Sequence, residues 1–158
     1  MSGEPTPLIE EHSFDDDGVV PNNPRLPLVV YRGVLESGSG AAAACETLFA
    51  GNGWSGGWRG GVYPYHHYHS TAHEALGIVA GSAKVRLGAN SGTVVDLHAG
   101  DVVVIPAGVA HKGEAQARLS GSTAVRPDRE PHHAGNRQSF RWPCHRNIGR
   151  ARAVGREA

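Results

Sequence analysis

Cysteine is nearly absent from this chain of 158 residues. Only Cys45 and Cys144 occur, far apart and in no C-x-x-C spacing, which argues against a disulfide framework or a thiolate zinc site. Cys45 reads instead as a small buried side chain. No apolar run approaches the roughly 20 residues that a helical membrane span requires, so no membrane association is expected. There is no net charge either: 15 basic residues offset 15 acidic ones. The start, MSGEPTPLIEEHSFDDDG, lacks the basic and apolar regions of a secretory signal, and a cytoplasmic location is the expectation. Long-period repeats are missing as well.

The zero net charge covers an asymmetry. Acidic residues load the first 17 positions, whereas eight of the 15 lysines and arginines lie beyond Ser120. No aromatic platform or binding motif accompanies those arginines, so they read as a solvated tail and no nucleic-acid partner is expected.

Glycine (22 residues) and short valine-rich runs are abundant, as in a β-rich domain. The length suits one domain with a hydrophobic core. Residues 1–25, with Pro5, Pro7, Pro21 and Pro24, are expected to form an extended N-terminal arm with turns and no packed element of its own. The domain proper is expected over 26–125. LPLVVY at 26–31 reads as its first strand, and AAAACETLFA at 41–50 as a short peripheral helix ended by Gly51. Strands are then predicted over 62–69, 74–80, 83–87, 93–97 and 101–105. Gly81-Ser82, Ala89 to Gly92 and Ala99-Gly100 stand between them as turns. Uniformly apolar VVVI at 102–105 predicts a strand covered on both faces. Only ARLSGSTAV, residues 117–125, remains to close a barrel. The arginine-rich segment 126–158 has no period of 2 or 3.6 and few aliphatic residues, and is expected to be a disordered or frame-altered tail.

Four residues can converge as metal ligands. His67 and His69, two apart on a strand, share a face, and Tyr63 and Tyr65 share it with them. Ser70-Thr71-Ala72 can turn the chain so that Glu74 returns from a neighbouring strand. His111 arrives through Pro106-Ala107-Gly108, where proline fixes one backbone angle and glycine permits a bend. Any one of these histidines, taken alone, is more often an ordinary surface or core residue; their joint spacing carries the reading. Three imidazoles and a carboxylate suit one divalent transition metal (Fe, Mn, Zn, Ni, Co or Cu) with up to two octahedral positions open.

Gly61, His67, His69, Glu74 and Gly81 follow the pattern G(X)5HXH(X)4E(X)6G, and Gly100, Pro106, Gly108 and His111 follow G(X)5PXG(X)2H. These patterns resemble the two cupin motifs. Residues 12–115, including FDDDGVVPNNPRLPLVVYRGVL and GGVYPYHHYHSTAHEALGIVAGSA, are further similar to the YjlB-like group of single-domain bacterial cupins. The resemblance implies an all-β fold, a double-stranded β-helix or jelly-roll barrel with one short peripheral helix. It also implies that the four matching residues are ligands inside the barrel, and that the chain pairs as a homodimer. It names no substrate.

Neighbouring residues have bland roles open to them as well. His66 and Tyr68 alternate with the ligands and are expected to face away. His73 could orient Glu74. Tyr63 and Tyr65 are candidate catalytic hydroxyls, with aromatic packing as the alternative. Trp54, Trp58 and Arg59 could form a lid or pocket wall. His98, His132, His133 and His145 read as solvated. Two functions fit: a metal-dependent enzyme, oxidising or isomerising a small polar or carboxylate-bearing molecule, or a non-catalytic module that binds or senses a small ligand or metal. Fold class does not choose between them.

Overall fold

A computed structural model describes residues 7–127, with side chains described through Ala115. The tail beyond Pro127 and residues 1–6 lie outside the described residues. Seven strands and one helix follow in the order β1 (Ile9–His12), β2 (Leu28–Tyr31), α1 (Ala41–Gly51), β3 (Ser55–Gly60), β4 (Ala72–Leu87), β5 (Thr93–His98), β6 (Val102–Ile105) and β7 (His111–Pro127). All pair antiparallel in one sheet of order β1-β2-β6-β4-β7-β3, with β5 also on β4. The sheet curls into a half-barrel, so the all-β class with one short helix expected from the sequence is the one observed. Among the described residues, no helix is long and apolar enough to cross a membrane.

Alternation decides which residues meet. Leu28 and Val30 of β2, Leu76 and Ile78 of β4, and Val103 and Ile105 of β6 join one buried cluster with Val85, Leu87, Val95, Leu97 and Val109. Their neighbours Val29, Tyr31, Ala75, Val79, Val102 and Val104 join a second cluster with Ala41, Cys45, Leu48, Phe49 and Trp54 around α1. Both faces of these strands are therefore covered, which is why LVVY and VVVI are apolar throughout; each such side chain contributes about 1.5–3 kcal/mol by leaving water.

Helix α1 starts at Gly40 without a side-chain cap or an acidic first turn. Packing holds it: Ala41, Cys45, Leu48 and Phe49 fall on one face and are buried. The helix closes one residue later than expected, at Asn52, whose side chain donates to Leu48 O at 2.7 Å. Cys45 rests on Gly77 of β4, where an added Cβ would overlap its Sγ, so glycine here allows the helix to reach the sheet.

Three expectations change. Gly81-Ser82 is no hairpin turn: β4 runs through it, with register shifts against β7 between Ile78 and Ser82 and Gly81 at φ +72°. The glycine supplies a bulge that bends one long strand. The predicted strand 62–69 is reduced to a bridge between His67 and His111, because Pro64, which has no N–H to donate, sits in a bend. The arm, expected to form no packed element, contributes β1, which pairs with β2 from Ile9↔Tyr31 to His12↔Leu28. Arg32 secures it, with Nε donating to Glu10 Oε1 at 2.9 Å and Nη1 to the buried Asp101 at 2.9 Å. At the other end, β7 continues past 125 and follows β4 as far as Ala72↔Pro127.

Candidate metal centre

Glu74 shares the parity of Leu76 and Ile78 and so points into the concave face, opposite the helix. His111 opens β7 after a turn in which Pro106 O accepts from Val109 N–H at 3.1 Å and Gly108 N–H donates to His69 O at 2.8 Å. Gly108 has φ +89°, and a Cβ there would press on the backbone oxygen of Asn22, so the position excludes other residues twice over. His67 N–H donates to His111 O at 3.2 Å, and His111 N–H to His67 O at 2.9 Å. The segment carrying His67 and His69 is thereby tied to the turn that delivers His111.

The structure brings all four expected ligands together: one nitrogen or oxygen from each of His67, His69, Glu74 and His111 lies within 4.8 Å of the others. His67 Nδ1 is 3.2 Å from Tyr65 O, and His111 Nδ1 is 3.2 Å from Val109 O. A carbonyl oxygen only accepts, so these contacts place a proton on each Nδ1 and leave Nε2 as a lone pair when the ring is neutral. His111 Nε2 then lies 2.8 Å from Glu74 Oε2, and His69 Nε2 lies 3.3 Å from the same oxygen. Despite those short distances, neither His69 Nε2 nor Glu74 Oε2 has a partner with hydrogen-bond geometry among the described residues. Buried lone pairs facing one another require a proton or a cation between them. The donor set therefore fits a metal ion.

Electrostatics divides the four groups. Burial by itself would raise the Glu74 carboxyl, but the His111 and His69 imidazoles against it outweigh burial and bring it down to about 2. Burial, reinforced by His111, holds His67 below the usual imidazole range. Contact with Glu74 raises His69 despite its partial burial. Glu74 and His111 form the closed floor of the site, whereas His67 and His69 are only half-buried, so the centre is open on the histidine side.

The remaining candidates divide. Tyr63 and Tyr65 lie beside the site, stacked on each other at 5.1 Å and edge-on to the His67 ring at 5.2 and 5.9 Å. Both are more than half exposed (54% and 57%). His66 turns away and pairs with Asn90 Oδ1 at 2.9 Å; Tyr68 and His98 are exposed, as their parity and turn position imply. His73 is buried, and its Nδ1 accepts from Ala107 N–H at 2.9 Å, so it holds the turn before His111. Trp54 is no lid: it is buried in the cluster around α1. Arg59 pairs with Glu46 of the helix at 2.7 Å, and Trp58 stands partly exposed on β3. His132, His133 and His145 lie outside the described residues. Two residues that sequence reasoning missed, Asn22 and Asn23, reach the turn from the arm; flanked by prolines, they carry only the signal of a local turn.

Residues 58–120 match the cupin domain family, a span that contains all four candidate ligands. The chain is 45% identical over 103 residues to the uncharacterized protein YjlB of Bacillus subtilis (strain 168), a match covering 65% of this chain and 60% of that protein. This chain thus spans about three-fifths of the length of that relative. Among solved structures, acireductone dioxygenase from Bacillus anthracis with a cadmium ion in its active centre matches at 18% identity with a TM-score of 0.39, over 58% of this chain and 61% of that one.

Proposed function

We propose that this chain, a YjlB-like cupin, holds one divalent transition metal through His67, His69, Glu74 and His111 and uses it as an enzyme on a small polar or carboxylate-bearing molecule. The observation that carries the reading is the set of unpartnered buried atoms at the centre, His69 Nε2 and Glu74 Oε2, converging with the lone pairs of His67 and His111. Structural metal sites are closed by protein ligands, whereas catalytic ones keep a position free. Here the half-exposed His67 and His69 leave that side accessible, which favours catalysis over a structural role.

A bound ion of this class would supply Lewis acidity toward a substrate oxygen, or a centre for redox chemistry, which suits isomerisation and oxidation respectively. The chain's own residues do the rest. Glu74, ionised well into the acid range, contributes one negative charge at the floor. The backbone carbonyls of Tyr65 and Val109 hold the His67 and His111 rings in the tautomer that presents Nε2. Tyr63 and Tyr65, whose rings stand beside His67, would supply hydroxyls to bind a substrate or pass it a proton.

The test is elemental analysis of aerobically and anaerobically purified protein, followed by dioxygen uptake and isomerisation assays with a panel of small acids and sugars. One equivalent of a transition metal with turnover supports the reading. A stably folded, metal-free protein from metal-replete medium sinks the site. Tight ligand retention without turnover replaces the enzyme with a binding module.

A further inference from the structure

Asn22 is unusual for an arm residue. It is 5% exposed, its backbone is left-handed at φ +49°, and its amide is fully engaged with distant parts of the chain. Nδ2 donates to Asp15 O at 2.8 Å and to Gly88 O at 3.4 Å, while Oδ1 accepts from Ala110 N–H at 3.3 Å. Ala110 immediately precedes His111, and its own carbonyl accepts from Gly88 N–H at 2.8 Å. Next to it, Asn23 uses Oδ1 to accept from Arg25 N–H at 3.0 Å and Leu26 N–H at 2.9 Å, which folds the arm into a turn. That leaves its Nδ2 to donate to Ala107 O at 3.0 Å. The backbone oxygen of Asn22 lies against Gly108.

The turn Pro106–Ala110 is thus gripped from both sides. From the barrel come His73, on Ala107 N–H, and the carbonyl of His69, on Gly108 N–H. From the arm come Asn22 and Asn23. The grip matters because this turn sets where the His111 ring stands, and Val109 O within it fixes that ring's tautomer. Metal ligands are sensitive to such support. Both asparagines lie outside the stretch that matches the cupin domain.

The geometry points to Asn22 and Asn23 as positioning residues for the metal centre: the arm clasps the turn before His111 and holds its imidazole in the ligating pose. This inference rests on the metal reading given above. Neither asparagine touches the ligand atoms, so each acts through the turn backbone.

The test is Co(II) titration of the full chain under anaerobic conditions, read by dissociation constant and by visible d–d absorption. Asn22→Gly removes the amide while tolerating the left-handed backbone. Asn23→Asp keeps the acceptor that folds the arm and replaces the donor to Ala107 by an oxygen that repels its carbonyl. Each is expected to weaken Co(II) binding by about tenfold or more and to alter the d–d bands, with the far-UV circular dichroism of the apo-protein unchanged. In a His111→Ala background, where the clasped ligand is gone, neither should weaken binding further. Unchanged affinity and spectrum in both variants would overturn the clasp, and so would an equal loss with and without His111, which marks general destabilisation. Should Asn22→Gly fail to fold, Asn23→Asp decides alone; if both unfold, the arm is a plain structural element and the inference fails. Wild-type protein that binds no Co(II), or His111→Ala binding as wild type does, defeats the metal reading itself. Wild-type binding with unaffected asparagine variants defeats only the clasp.

Discussion

His67 and His111 are locked to each other twice: their backbones exchange hydrogen bonds of 3.2 and 2.9 Å, and their rings sit 4.1 Å apart at the candidate metal centre. The bridge fixes the spacing of two candidate ligands from different parts of the chain without either side chain having to hold the other.

Ligand and non-ligand histidines should separate cleanly. Replacing His69 by alanine removes a donor atom and is expected to weaken metal binding by at least about tenfold. His66→Ala removes a ring that pairs with Asn90 on the other side and should leave affinity within about twofold. Calorimetric titration of the two variants with the same metal decides; equal losses would contradict the assignment of faces.

Protons and metal compete for the same lone pairs. His69 is raised above 6.5, its ordinary value, by Glu74, so it is the ring that gains a proton early as pH falls. Glu74 stays ionised down to about 2 and plays no part in that range. Metal affinity is therefore expected to be full at alkaline pH, to begin falling above 6.5, and to keep falling below it, with proton release on binding. Titrations in buffers of different ionisation enthalpy would measure the protons released, and affinity flat from about pH 8 to 5 would rule out imidazole ligation.

The contact between Cys45 and Gly77 predicts a repairable lesion. Gly77→Ala places a methyl group where the Cys45 sulfur lies and should cost about 1–3 kcal/mol in denaturant unfolding. Cys45→Ala clears the space, so the double variant should be less destabilised than the sum of the two single ones. Additive losses would mean that the helix does not rest on β4 in this way.

Acid should loosen the arm. The side-chain hydrogen bond from Arg32 lowers the Glu10 carboxyl below 4.5, overcoming partial burial. A folded-state value below the unfolded one means that the stabilisation is present above 4.5 and is lost as pH falls through the folded value. Amide exchange across Ile9–His12 is expected to gain protection up to that range and lose it in more acidic solution. The effect should vanish in Glu10→Gln, since an amide does not titrate.

The centre was largely legible because its cues are local. His67 and His69 stand two apart, and although their stretch forms one bridge and no strand, both rings still reach the site; proline and glycine at 106 and 108 announce the bend before His111. The two-sided burial of β6 was likewise visible in VVVI. What escaped reading is set by distant partners. Asn22 bonds to residues 66 and 88 positions away, and no local pattern encodes that. Gly81-Ser82 has the composition of a hairpin turn, yet β7 alongside keeps the strand continuous and converts the glycine into a bulge. Trp54 lies in a glycine-rich stretch that suggests exposure, but the helix before it carries the ring into the core.

In β4, Glu74 and Leu76 face the concavity while Ala75 and Gly77 face the helix, with β6 and β7 paired on either edge. A substitution here alters one side at a time. Gain or loss of one residue would instead exchange the sides, putting a carboxylate beneath Cys45 and a glycine among the histidines. Ala72–Gly77 therefore behaves as a ruler: one residue gained or lost is expected to disturb the candidate metal centre and the helix contact together, whereas a substitution disturbs one of them alone.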